Sequence, residues 1–261
     1  MNLDLYLNNE TEKPLDNFIT GGGGMCSIFR TIGCVGDSLS SGEFESLSEE
    51  GITGWHDFYE YSWGQFMARA TGSKVFNFSK GGMTAKEFNA AFGTICGAWD
   101  YENVCQAYIF ALGVNDIGDG SMLGTIDDFE LANETFVSSY AAIIRNLKRR
   151  QPKAKFFLMT IPRSNKTSER AALEDKHAEL VRAVAEKFEN CYVIDLRRYG
   201  PVYDEKFKKA FFLGGHMNAA GYVFTAQMVI SYIDYIIRHN MEDFKQVGFI
   251  GTPYYNCKEK W

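Results

Sequence analysis

Five short apolar runs punctuate the chain: "FRTIGCVG" (29–36), "KVFNFS" (74–79), "QAYIFALG" (106–113), "KFFLMTIP" (155–162) and "CYVIDL" (191–196). Each is continuously apolar and ends in a polar or glycine-rich turn, the pattern of parallel strands covered on both faces. Between them, apolar positions recur at helical spacing. "EYSWGQFMARATG" closes on a glycine C-cap signal, and "TAKEFNAAFG" opens with a Thr84/Glu87 capping box. "NETFVSSYAAIIRNLKRRQP" sets Phe136, Tyr140, Ile143, Ile144 and Leu147 on one stripe. "SERAALEDKHAELVRAVAEKFEN" repeats that periodicity, and "NAAGYVFTAQMVISYIDYIIRH" is a long apolar closing helix.

Strand alternating with helix predicts an α/β fold, a five-stranded parallel sheet joined by crossover helices. The C-terminal strand ends then share one rim, where ligands bind near the topological switch point. Residues 1–24 are polar and weakly patterned, an N-terminal extension with "GGGG" (21–24) as a flexible joint. Residues 25–240 form the domain. Residues 241–261 form a C-terminal tail whose aromatics favour docking on the domain or on a partner subunit.

Composition narrows the class. The 261 residues are 46% apolar, enough for one large core. A net charge of −6 argues against a nucleic-acid partner, which needs a basic face. No membrane association is expected: the N-terminus lacks the apolar run of a secretory signal, and no later stretch reads as a bilayer span. Six cysteines are scattered without C-x-x-C or Cys/His zinc spacing. Free thiols in a reducing, cytoplasmic setting are expected, with no metal. No Gly-rich phosphate-binding motif follows a strand, and no cofactor is expected.

The strand ends carry candidate chemistry. Ser38 in Gly36-Asp37-Ser38-Leu39 is the first hydroxyl past the first strand; Ser40 and Ser41 read as loop residues. Gly81 and Gly82 in "NFSKGGMT" let backbone approach the rim and expose an N–H. Asn115 in "ALGVNDIGDG" can donate its side-chain amide to a developing oxyanion, whereas Asp116 and Asp195 read as turn or cap residues. His216 in "FFLGGHMNAAGY" lies in a glycine-flanked loop before the last helix, where a neutral imidazole can take a proton from a serine.

Together these four segments resemble the SGNH (GDSL-type) esterase/hydrolase family over roughly residues 29–240: "GDSL" for Ser38, "NFSKGGMT" for Gly82, "LGVND" for Asn115 and "HMNAAGY" for His216. The resemblance implies a flavodoxin-like three-layer α/β/α sandwich and ester hydrolysis through an acyl-serine intermediate. Ser38 would be the nucleophile and His216 the base, then the acid. The Ser38 and Gly82 N–H groups and the Asn115 side chain would form the oxyanion hole.

One position departs. Family members usually carry an Asp three residues before the histidine; here it is Leu213. A backbone carbonyl near Leu213 or Gly214 is the preferred orienting group, since it needs no long reach. Asp204 or Glu205 is the alternative acid, and an inactive site the third reading. Among the other histidines, His177 is expected to be solvated on a charged helix and His239 to sit at a helix C-terminus. His56 is the serious rival, in a long loop (roughly 40–60) where Trp55, His56 and Tyr59 are candidate substrate contacts.

The leading expectation is therefore an esterase on small acyl esters, acetyl foremost, with acetylated carbohydrate as a candidate. The alternatives are a flavodoxin-like ligand-binding protein and a degenerate hydrolase relative. The expected partner is a small-molecule ester, and a homodimer stays open.

Overall fold

A computed structural model describes residues 11–118 and 121–256. Within them the strands are β1 (Thr31–Gly36), β2 (Glu43–Leu47), β3 (Thr53–Asp57), β4 (Lys74–Ser79), β5 (Ala107–Ala111), β6 (Lys155–Met159), β7 (Cys191–Ile194), β8 (Phe212–Leu213) and β9 (His216–Met217). Five of these form a sheet in the order β4-β1-β5-β6-β7, every pairing parallel. The expected five strands are all present. The chain runs from β1 to β4 on one side, then crosses to β5 on the other, so the switch point lies beside the end of β1.

Because successive side chains alternate, each strand feeds two apolar layers. Cys34, Ile109 and Phe157 join one core with Trp63–Thr71 and the closing helix Ala219–His239. Val35, Phe110 and Phe156 join the other with the helices Phe136–Arg150 and Ser168–Glu186. This is the three-layer α/β/α sandwich. The cap signals act as expected: Gly72 ends Trp63–Thr71 at φ 74°, and the Thr84/Glu87 capping box opens Ala85–Glu87. That last segment then continues as a π turn, Phe88–Phe92. Cys26, Cys34, Cys96, Cys105 and Cys191 are free thiols, the first two and Cys105 buried; Cys257 lies outside the described residues.

Several expectations need correction. The stretch read as a long loop is an antiparallel hairpin, β2 against β3, with Glu43 opposite Asp57 and Glu45 opposite Trp55. Gly42, at φ 91°, admits the chain into it: a Cβ there would lie 2.6 Å from the Phe58 carbonyl oxygen. The second half of the glycine run is packed, while Gly21 and Gly22 face open space. Gly24 begins a 3₁₀ turn, Gly24–Ile28, and a Cβ on Gly23 would strike Ser27 and Thr71. The described part of the extension docks on the closing helix: Ile19 N–H donates to Ser231 Oγ (2.8 Å), and Glu12 pairs with Arg238 (2.7 Å). That helix is long and apolar enough to cross a membrane by length and composition, contrary to expectation, but 72% of its 18-residue apolar window is buried inside the protein.

The tail docks at the opposite end of the sheet from the rim. Phe244 packs on Phe29 and Phe157, while Gln106 and Arg30, which precede β5 and β1, donate to the carbonyls of Val247 and Gly248.

Candidate active site

The end of β1 turns straight into a single helical turn, Ser38–Ser41. Asp37 starts it. Its Oδ1 accepts from Leu39 N–H at 3.0 Å, and its carbonyl accepts from the N–H of Ser40 and Ser41. Burial raises the Asp37 carboxyl to about 7, opposed by the Leu39 N–H. Ser40 and Ser41 are buried rather than loop residues: Ser40 Oγ accepts from Trp63 Nε1 (3.2 Å), and Ser41 Oγ donates to Asp57 (2.7 Å). These bonds fix the turn on both sides and leave Ser38 as its half-buried serine at the rim.

Gly82 follows β4 at φ 72°, a left-handed conformation that favours glycine, and a Cβ there would face open space. Asn115 follows β5 and donates one Nδ2 hydrogen to the Met83 carbonyl (3.2 Å), which ties the two loops together. Asp116 is structural, as expected: its Oδ1 accepts from Ala85 N–H (2.9 Å). Burial raises its carboxyl to about 6.

His216 opens β9, before the closing helix, which Asn218 caps. Neither expected acceptor orients it. Asp204 caps Glu205–Phe211 through Phe207 N–H (2.8 Å), Leu213 is the backbone register partner of His216, and the two ring nitrogens face other groups. A different acid is present. Nδ1 lies 3.2 Å from Glu45 Oε2, and that oxygen also accepts from Gly215 N–H at 2.6 Å. The other ring nitrogen, Nε2, lies 3.0 Å from Glu43 Oε1. Gly215 N–H and the His216 ring hold the Glu45 carboxyl below its usual range. Burial pushes that of Glu43 up, with Asp57 and Glu45 adding to it and His216 opposing it. Sequence reasoning missed both glutamates. The available signal was the alternation in "GEFESL", which puts Glu43 and Glu45 on one face and sends Phe44 to the other, against Tyr222.

Ser38, Gly82, Asn115 and His216 line one open cleft of about 450 Å³ with Glu43, Trp55, Asp57, Lys80 and Gly81. Trp55 and Asp57 reach it because they share the hairpin face of Glu43 and Glu45. His56 lies on the other face, paired with Phe44, and its Nε2 contacts Ser46 Oγ (2.8 Å). Tyr59 also lies outside the cleft, donating to the Val75 carbonyl (3.0 Å). Of the three residues expected to contact substrate, Trp55 lines the cleft and His56 and Tyr59 do not.

His177 is not solvated. It is fully buried under Gly113 and beside Phe136, with Nε2 3.3 Å from the Leu112 carbonyl oxygen. Burial lowers its pKa to about 4. Position 177 faces inward on its charged helix, as does Glu174, which pairs with Arg170 and Arg197. His239 ends its helix with Nδ1 2.8 Å from the Tyr235 carbonyl oxygen. Asp195 is a cap, as expected, and also pairs with Arg182 (2.8 Å).

A parallel sheet of this order, with a serine after β1 and a histidine before its last long helix, has the layout of the SGNH-type hydrolases. The chain matches the GDSL-like lipase/acylhydrolase family over residues 34–224 and belongs to that family of ester hydrolases. No curated protein sequence matches it. Solved structures share the fold at low identity. A possible lipase from Chitinophaga pinensis is 17% identical (TM-score 0.55), over 84% of this chain and 98% of that one. A family two carbohydrate esterase from Clostridium thermocellum is 15% identical (TM-score 0.55), over 82% and 64%. An acetylxylan esterase from Geobacillus stearothermophilus is 16% identical (TM-score 0.51), over 82% and 95%.

Proposed function

We propose that the protein hydrolyses small acyl esters, acetyl esters of carbohydrate above all, through an acyl-serine intermediate. The observation that carries this is the meeting of Ser38, Gly82, Asn115 and His216 in one cleft with Trp55 as a wall. Ser38 Oγ attacks the ester carbonyl while His216 Nε2 takes its proton. The Ser38 and Gly82 N–H groups and the second Nδ2 hydrogen of Asn115 receive the oxyanion. His216 returns the proton to the departing alcohol. Water, deprotonated by His216, then attacks the acyl-serine and releases the acid.

The substrate class follows from the cleft wall. The indole of Trp55 is 61% exposed and offers a flat apolar surface to the C–H face of a sugar ring. Asp57 and Lys80 beside it offer an acceptor and a donor for hydroxyls. The carbohydrate esterases among the structural neighbours support the same class.

A fluorophosphonate probe tests the nucleophile: it should label the wild type and leave Ser38→Ala unlabelled. Equal labelling of both, or none of the wild type, removes the proposal. An acyl series of aryl esters, run beside acetylated xylo-oligosaccharides, tests the substrate. Acetyl should exceed octanoyl by at least about tenfold in kcat/KM.

A further inference from the structure

The residue three before His216 is Leu213, whose exposed side chain has no hydrogen-bond acceptor. The imidazole nevertheless has a carboxylate at Nδ1, from a strand 171 residues earlier. We propose that Glu45 is the positioning residue of this site: from the hairpin it takes the place of the missing aspartate, holds the Nδ1–H tautomer of His216 and stabilises the imidazolium formed when Ser38 attacks. The inference rests on the Ser38–His216 reading above.

Three observations carry it. Glu45 Oε2 is fixed from two sides, by Gly215 N–H at 2.6 Å and by His216 Nδ1 at 3.2 Å, so it is anchored to the very loop that bears the histidine. The second carboxylate, Glu43, is on the wrong nitrogen for this role: it faces Nε2, the atom that must accept the serine proton. The strand explains the division. Residues i and i+2 of a strand stand about 6.8 Å apart on one face, which lets two carboxylates straddle an imidazole whose nitrogens point in opposite directions. The geometry also ties the hairpin to the chemistry. Trp55 is the register partner of Glu45, so the strand pair that meets the substrate also sets the histidine.

Glu45→Gln separates positioning from scaffolding. A glutamine oxygen still accepts from Gly215 N–H, so the loop keeps its anchor while the charge goes. The expected result is a fall in kcat of about 10²- to 10⁴-fold, with KM held within about threefold. A low-field Nδ1–H proton resonance should be present in the wild type and absent from both Glu45→Gln and His216→Ala. A Glu45→Gln kcat within about threefold of wild type, or a loss confined to KM, overturns the inference. Should the variant unfold by circular dichroism, Glu43→Ala decides: a low-field resonance that persists in it and that His216→Ala removes supports the proposal, and its absence overturns it. Ser38→Ala is assayed alongside. If it retains turnover, the underlying esterase reading fails; if it is inactive while Glu45→Gln is not, only the role of Glu45 fails.

Discussion

Glu43 sets a proton trap beside the base, His216. A neutral imidazole with Nδ1–H presents a lone pair at Nε2, which repels a carboxylate. The 3.0 Å approach of Glu43 Oε1 therefore needs one proton held between the two groups. Burial, Asp57 and Glu45 strengthen the hold of Glu43 on that proton, and His216 weakens it; Asp37 and Tyr222 also face Glu43, and Lys80 lines the same cleft. While the proton stays, Ser38 cannot hand over its own. Glu43→Ala should thus move the acid limb of the kcat–pH profile to lower pH, measured between about pH 4 and 8. An unmoved limb counts against the trap. Asn115→Ala is a separate test of the oxyanion site, expected to cost about 10²-fold in kcat at little change in KM. Ser38, Gly82, Asn115 and His216 were legible in the sequence because each follows a strand or precedes a helix with a recognisable boundary. Glu45 was not: nothing local in "GEFESL" points to a histidine 171 residues on.

At the scale of elements, the buried sheet was readable and the exposed hairpin was not. Central strands announce themselves by continuous apolarity, although that signal overshoots. "QAYIFALG" continues past the ladder, which ends at Ala111, because Leu112 stays buried after pairing stops. The β2–β3 pair has one face toward the cleft and little core of its own, so its charged alternation read as loop. The loop after β5 shows how tightly an element can hold a site residue. Gly113 sits at φ 130°, and a Cβ there would fall 2.0 Å from His177 Nε2. Gly113→Ala combines backbone strain with a clash against a buried ring. It should cost about 3 kcal/mol of stability by urea denaturation. It should also lower kcat, because Asn115 is two residues away. Wild-type stability in that variant would mean that the loop yields freely.

For the whole molecule, the buried ionisable groups near the rim oppose one another as pH falls. His177 is neutral when folded, with its pKa lowered from 6.5 to about 4 by burial. Its contribution is intact above pH 6.5 and is lost as pH falls toward 4, where the unfolded chain binds a proton that the folded one refuses. Asp37 and Asp116 act with the opposite sign. Burial raises them from 3.8 to about 7 and about 6, so their contribution is full below pH 3.8 and is lost as pH rises through the folded values. Between pH 6.5 and 4 the histidine loses stability while the two acids gain it, which flattens the wild-type curve. His177→Gln removes only the histidine's share and can still donate to the Leu112 carbonyl. Whatever the substitution costs at pH 7, the variant should gain about 2 kcal/mol on the wild type between pH 7 and 4.5. Urea midpoints at the two pH values measure this. Parallel behaviour of the two proteins would mean that His177 does not gain a proton on unfolding in this window.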